Sequence, residues 1–261
     1  MKLTHILVTL GIIGLASGVA NAKGSRAGKA PAAPKASPAA KPPANASITG
    51  YTLGTPPADV VFADICGTGS HAKMGNLDSS LSEEIELPFG FPLYAGRYTK
   101  AKVSTDGWLA FSRFLMNSSV RRATGKLTLP DFSAPNAAVY VFWEDLHLRA
   151  EDGICFTTVG SAPNRSFVVQ WNHAYFENNT TPDGELTFQA RLSEDGTVDL
   201  LYDKVTAGSG RTDRPASATI GIENEEKRGA ETGGTQGLSS PATPSAGLRI
   251  RFSPTRSTQY R

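Results

Sequence analysis

The chain has 261 residues, with 26 basic against 24 acidic side chains and a formal net charge of +2. Removing Lys2 and the five cations of the N-terminal tail leaves 20 against 24 from Ser47 onward, a net of −4. A mildly acidic body argues against nucleic acid as its partner.

The first element is an address. Lys2 precedes an apolar run from Ile6 to Val19 that ends in Ala20-Asn21-Ala22. A basic start, a short apolar core and a small-x-small site predict a signal peptide over residues 1–22. The run is short for a bilayer and broken by Gly11, Gly14 and Gly18, so no transmembrane anchor is expected in the mature form. The chain is therefore expected to be exported, to the periplasm or to the cell surface and beyond.

Residues 23–46 are Ala, Pro, Lys and little else, with no acid and no aromatic. Such a segment cannot bury enough apolar surface to offset its ordering entropy, and it reads as a disordered, semi-stiff linker. Its cations Lys23, Arg26, Lys29, Lys35 and Lys41 are spread out. They suit solvation, and at most a weak contact with an anionic surface.

About 215 residues remain, 47–261, enough for one large all-β domain that buries roughly 70% of its unfolded surface. Short apolar runs of period two predict eleven strands. They are Val60–Ile65, Glu84–Leu87, Thr99–Ser104, Trp108–Ser112, Ala137–Trp143, Ile154–Val159, Ser166–Tyr175, Glu185–Ser193, Val198–Lys204, Ala218–Glu223 and Leu248–Phe252. The connections are too long for a simple up-and-down barrel, so the expected fold is an antiparallel β-sandwich.

The clearest stretch is 165–205. Leu186, Phe188, Ala190 and Leu192 alternate with polar residues, the pattern breaks at Asp195-Gly196, and it restarts at Val198, Leu200 and Tyr202. Asp-Gly between alternating runs marks a hairpin, and the run Phe167, Val169, Trp171 makes it a meander with one dry face. Asp106-Gly107 marks a second hairpin. Ala137 to Leu146 is nearly all apolar and reads as a strand buried on both faces. Pro88 and Pro92 punctuate a run that cannot sit in a central ladder. A Gly, Ser, Thr and Pro loop is expected between Glu225 and Ala246.

The succession FADICGTGS, EEIELPFGFPLYAGRYTKAKVSTDGWLAFS, AAVYVFWEDL, SFVVQWN, LTFQARLSEDGTVDLLY, ASATIGIEN and GLRIRF resembles the nidogen-like β-sandwich domain. It is especially similar to versions in secreted bacterial surface proteins and in plexin-domain-containing receptors. The resemblance covers about Val60 to Phe252. It implies an extracellular, non-enzymatic binding or adhesion module.

Cys66 and Cys155 are the only cysteines. In an oxidising compartment a Cys66–Cys155 disulfide is expected, with two separate buried thiols as the alternative.

Catalytic patterns are thin. Glu144 and Asp145 are adjacent on a strand, point to opposite faces and cannot act as one acid–base pair, which leaves a glycoside hydrolase a remote alternative. Asp145, His147 and His173 lack tight ligand spacing, and Asp64, Asp78, Asp106 and Asp195 read as turn residues, so neither metal nor cofactor is expected. No serine elbow, HExxH, P-loop or GxGxxG motif is present in a folded context. Trp108, Trp143 and Trp171 are expected in the core. Tyr94, Tyr175 and Phe176 lie nearer loops, where they could offer a ring face to a sugar or a partner. The expected function is a non-catalytic module for a protein or an envelope or matrix polymer, with carbohydrate binding through those aromatics as the rival.

Overall fold

The computed structural model describes residues 47–111, 127–131, 135–176, 184–208, 214–225 and 236–257. The expected signal peptide 1–22 and linker 23–46 lie outside them. The first strands are β1 (Ser47–Gly54), β2 (Ser70–His71), β3 (Ile85–Leu93), β4 (Gly96–Val103) and β5 (Trp108–Ala110). Then come β6 (Ala138–Trp143), β7 (Leu146–His147), β8 (Ile154–Val159), β9 (Ser166–Phe176) and β10 (Glu185–Ser193). The last are β11 (Val198–Thr206), β12 (Thr219–Glu223), β13 (Gly237–Ser239) and β14 (Arg249–Ser257), with one helical turn, α1 (Arg214–Ser217), before β12.

These strands form two antiparallel sheets. The larger runs β1-β14-β11-β10-β9-β8-β2, with β7 also pairing β9; the smaller runs β13-β12-β6-β5-β4-β3. The sandwich expected from the sequence is therefore the fold. Ten of the eleven expected strands are present, two of them, β8 and β10, with the expected ends. The remaining four are β1, β2, β7 and β13. Two of those are only two residues long, and β13 occupies part of the expected loop.

One expected strand is absent. Val60–Ile65 forms no ladder but belongs to a connection laid across the outer face of the larger sheet. Its backbone is satisfied by buried amide side chains. The Ile65 N–H donates to Gln170 Oε1 at 3.1 Å, and Gln189 Nε2 donates to the Ala63 carbonyl at 2.6 Å. Gln189 also donates to Gln170 at 2.8 Å, and Arg249 reaches the Pro57 and Val60 carbonyls at 3.1 Å each. This is why the meander has two dry faces rather than one: Ile65 packs on Val168 and Cys155 beneath the connection.

Between the sheets, inward residues of β9, β10 and β11 meet those of β3, β6 and β12 in one apolar core. Phe142 stacks on Phe188, and Phe188 on Trp171, with ring centroids 5.4 and 5.1 Å apart. The polar ends of two large rings are satisfied across the interface: Tyr202 Oη donates to the Val141 carbonyl at 2.6 Å and Trp171 Nε1 to the Ser104 carbonyl at 2.8 Å. In β3, Ile85, Leu87, Phe89, Phe91 and Leu93 are buried while Pro88 and Pro92 alternate with them. β3 is an edge strand, so the missing proline N–H groups leave no ladder gap.

β6 carries an irregularity beside Gly107. The N–H groups of both Val141 and Phe142 donate to the Gly107 carbonyl, at 3.0 and 2.9 Å. Two residues opposing one is a bulge, which shifts the side-chain alternation. Val139, Val141 and Phe142 face the central core, whereas Ala138, Tyr140 and Trp143 join Trp108 and Leu129 in a second cluster. The strand is buried on both faces, as its composition requires.

Candidate functional site

The bulge sets the direction in which the chain leaves β6. The β4–β5 turn, Ser104 to Gly107, docks on it through the two hydrogen bonds to Gly107 and a weaker one from Glu144 N–H to the Asp106 carbonyl at 3.4 Å. Gly107 has φ +76°, and a Cβ there would stand 2.2 Å from the Phe142 carbonyl oxygen, so only glycine permits this approach. The turn therefore places Asp106 beside the β6–β7 turn, which carries Asp145.

A third segment joins them. The Ser80 N–H donates to Thr105 Oγ1 and the Thr105 N–H to the Ser80 carbonyl, both at 3.0 Å. Asp78 pairs in a β-bridge with His147, and the Leu148 N–H donates to the Leu77 carbonyl at 2.9 Å. Within the segment, Asn76 Oδ1 accepts from the Asp78 N–H and Ser79 Oγ donates to Asp78 Oδ1, both at 3.0 Å.

The result is a group of three carboxylates, Asp78, Asp106 and Asp145, each offering an oxygen within 4.8 Å of the others. Among the described residues it is the only group of three or more His, Cys, Asp or Glu side chains so arranged. Asp106 is 0% exposed, while Asp78 and Asp145 are half-buried. Asp106 Oδ1 receives a long contact from the Thr105 hydroxyl at 3.5 Å, and Oδ2 is buried without a hydrogen-bond partner. Burial, then the nearby Asp145 charge, pushes the Asp106 carboxyl up to about 7, against a partial offset from the Leu146 N–H. Asp78 adds to the rise.

The residues singled out in the sequence lie elsewhere. Phe176 is 0% exposed and Tyr94 4% exposed, so neither has a ring face open to a ligand; both belong to the core between the sheets. Phe176 ends β9, where alternation turns it inward, and Tyr94 packs edge-on against Tyr51 at 5.0 Å. Tyr175, the outward neighbour, is half-buried, with the Arg149 guanidinium 5.0 Å over its ring and the His147 ring 5.1 Å away. His173 Nδ1 lies 2.6 Å from Glu185 Oε1, away from the carboxylate group. Glu144 and Asp145 lie in the turn after β6 rather than on the strand; Glu144 Oε2 accepts from Ser217 Oγ at 3.1 Å, while Asp145 joins the carboxylate group.

Cys66 and Cys155 are joined in a disulfide, Cα atoms 5.2 Å apart, which ties the covering connection to β8. The carboxylate group was not expected from the sequence: Asp78 and Asp106 read as turn residues, and Asp145 read as a strand neighbour of Glu144 that could share a face with His147. The usable signal was Glu144-Asp145, two acids placed directly after the apolar run 137–143.

A family model described as NIDO related matches residues 50–260. No curated protein and no solved structure matches the chain. Among the described residues no helix is long and apolar enough to cross a membrane.

Proposed function

Because the chain belongs to the NIDO-related family, we propose that it works as an exported, non-catalytic module that binds a protein or an envelope or matrix polymer. The observation that carries this reading is the extent of the match: residues 50–260 take in almost the whole two-sheet body. A nidogen-like domain closed by a disulfide suits an oxidising, extracellular setting. The separate partners of Glu144 and Asp145 speak against a glycosidase pair. The carbohydrate reading is left with one ring of three, Tyr175, whose face Arg149 already covers.

The test is retention on an immobilised envelope and matrix fraction over a salt series. Binding that persists at 0.5 M salt supports recognition by the folded body. Binding lost with salt, and lost equally when the tail lysines become glutamine, assigns it to the tail instead. Turnover of a polysaccharide, abolished by Glu144→Gln, overturns the non-catalytic reading.

A further inference from the structure

We propose that Asp78, Asp106 and Asp145 form a binding site for a hard divalent cation, Ca2+, that staples the β4–β5 turn, the β6–β7 turn and the segment before β3 to one another. The geometry fits. Oxygens coordinated to one Ca2+ at about 2.4 Å stand no more than about 5 Å apart, and the three carboxylate oxygens meet that limit. The donors are all oxygen, which suits Ca2+ over zinc or copper.

A second observation points the same way. Asp106 is wholly buried, aims its carboxylate into this group and leaves Oδ2 without a hydrogen-bond partner. A native protein rarely leaves such an atom unsatisfied without an ion or another bound group to complete it. The groups acting most strongly on Asp106 are Asp145, Asp78, the Leu146 N–H and Thr105; none is a cation. Asp145 and Asp78 both raise Asp106, a like-charge repulsion that a divalent ion among the three oxygens would offset.

The surroundings supply the rest of a shell. Ca2+ takes six to eight oxygens, and carboxylates can be bidentate. Ser79 and Thr105 hydroxyls already touch Asp78 and Asp106. The half-buried Asp78 and Asp145 leave a way in for the ion and its remaining waters. The three segments are far apart in sequence, so the ion would join parts of the chain that no single ladder connects. Such a staple would act whatever partner the module binds.

The experiment uses the full chain, stripped with EDTA, exchanged into chelator-free buffer and titrated with CaCl2 in a calorimeter and in thermal melts. The expected result is one Ca2+ per chain, a Kd in the range of about 10⁻⁴–10⁻³ M typical of extracellular modules, and a Tm that rises by several degrees. Asp106→Asn keeps the shape and removes the charge. It is expected to fold with an unchanged or higher Tm without metal, and to lose Ca2+ affinity at least 10-fold. Asp152→Asn, an exposed acid outside the group, is expected to retain it. Should Asp106→Asn fail to fold, Asp145→Asn serves the same comparison. No heat and no Tm change in the wild type up to 10 mM CaCl2 overturns the proposal. So does a Ca2+ response that the Asp106 and Asp145 variants keep, and so does an equal response to MgCl2.

Discussion

The carbonyl oxygen of Gly107 accepts from the N–H of Phe142 at 2.9 Å, and a methyl group on Gly107 would lie 2.2 Å from the Phe142 carbonyl oxygen. One glycine thus carries both the bulge in β6 and the docking of the turn that bears Asp106. Gly107→Ala is expected to destabilise the fold by about 2–5 kcal/mol, combining a left-handed backbone penalty with overpacking. Urea denaturation measures it. A change within half a kcal/mol would mean that the turn relaxes freely and does not position Asp106.

The disulfide between Cys66 and Cys155 closes a loop across 89 residues of sequence separation. The chain-entropy argument assigns such a link up to about 4.6 kcal/mol, mostly by restricting the unfolded chain. The Cys66→Ala/Cys155→Ala double variant is expected to unfold at markedly lower urea and to be indifferent to reductant. Reduced wild type should approach it. Identical midpoints for oxidised and reduced wild type would remove the bond from the list of stabilising features.

The connection over the outer face depends on buried amides rather than on a ladder. Gln189→Leu removes the donor to the Ala63 carbonyl and one of the two donors to Gln170 Oε1, leaving it the Ile65 N–H. A cost of about 1–3 kcal/mol is expected, the usual net worth of two such hydrogen bonds. Limited proteolysis gives a sharper readout, with new cleavage between residues 55 and 69 at protease levels that spare the wild type. Cleavage at scattered sites instead would indicate general loosening.

Asp64 supplies a pH dependence. Its carboxyl accepts from the Cys66 N–H at 3.0 Å and from Gln170 Nε2 at 2.9 Å, and these bonds, the backbone one foremost, hold its pKa below the usual 3.8. A carboxyl with a folded value below its unfolded one contributes stability above the unfolded value and loses it as pH falls through the folded one. Wild type should therefore lose stability below about pH 4 more steeply than Asp64→Asn, with matched slopes between about pH 5 and 7. Parallel curves throughout the acid range would show that the carboxylate adds nothing to the clamp.

What could be read from the chain alone is what repeats at short range. Leu186 to Leu192 alternate, Asp195-Gly196 turns, and Val198 to Tyr202 alternate again, so the β10–β11 hairpin is encoded within about twenty residues. Pro88 and Pro92 already required an edge position for β3, and the two lone cysteines had only each other to pair with. The tertiary structure decided everything that depends on which distant segments meet. Val60–Ile65 alternates like a strand, yet it became a cover because two glutamines, remote in sequence, offered its backbone better partners. Phe176 and Tyr94 turned inward because register and bulges, not proximity to a loop, set the face a ring occupies. Asp78 and Asp106 look like ordinary turn residues, and Asp145 like the end of a buried strand. They become one site only because the β6 bulge brings three turns to the same point, and no local pattern encodes a meeting of that kind.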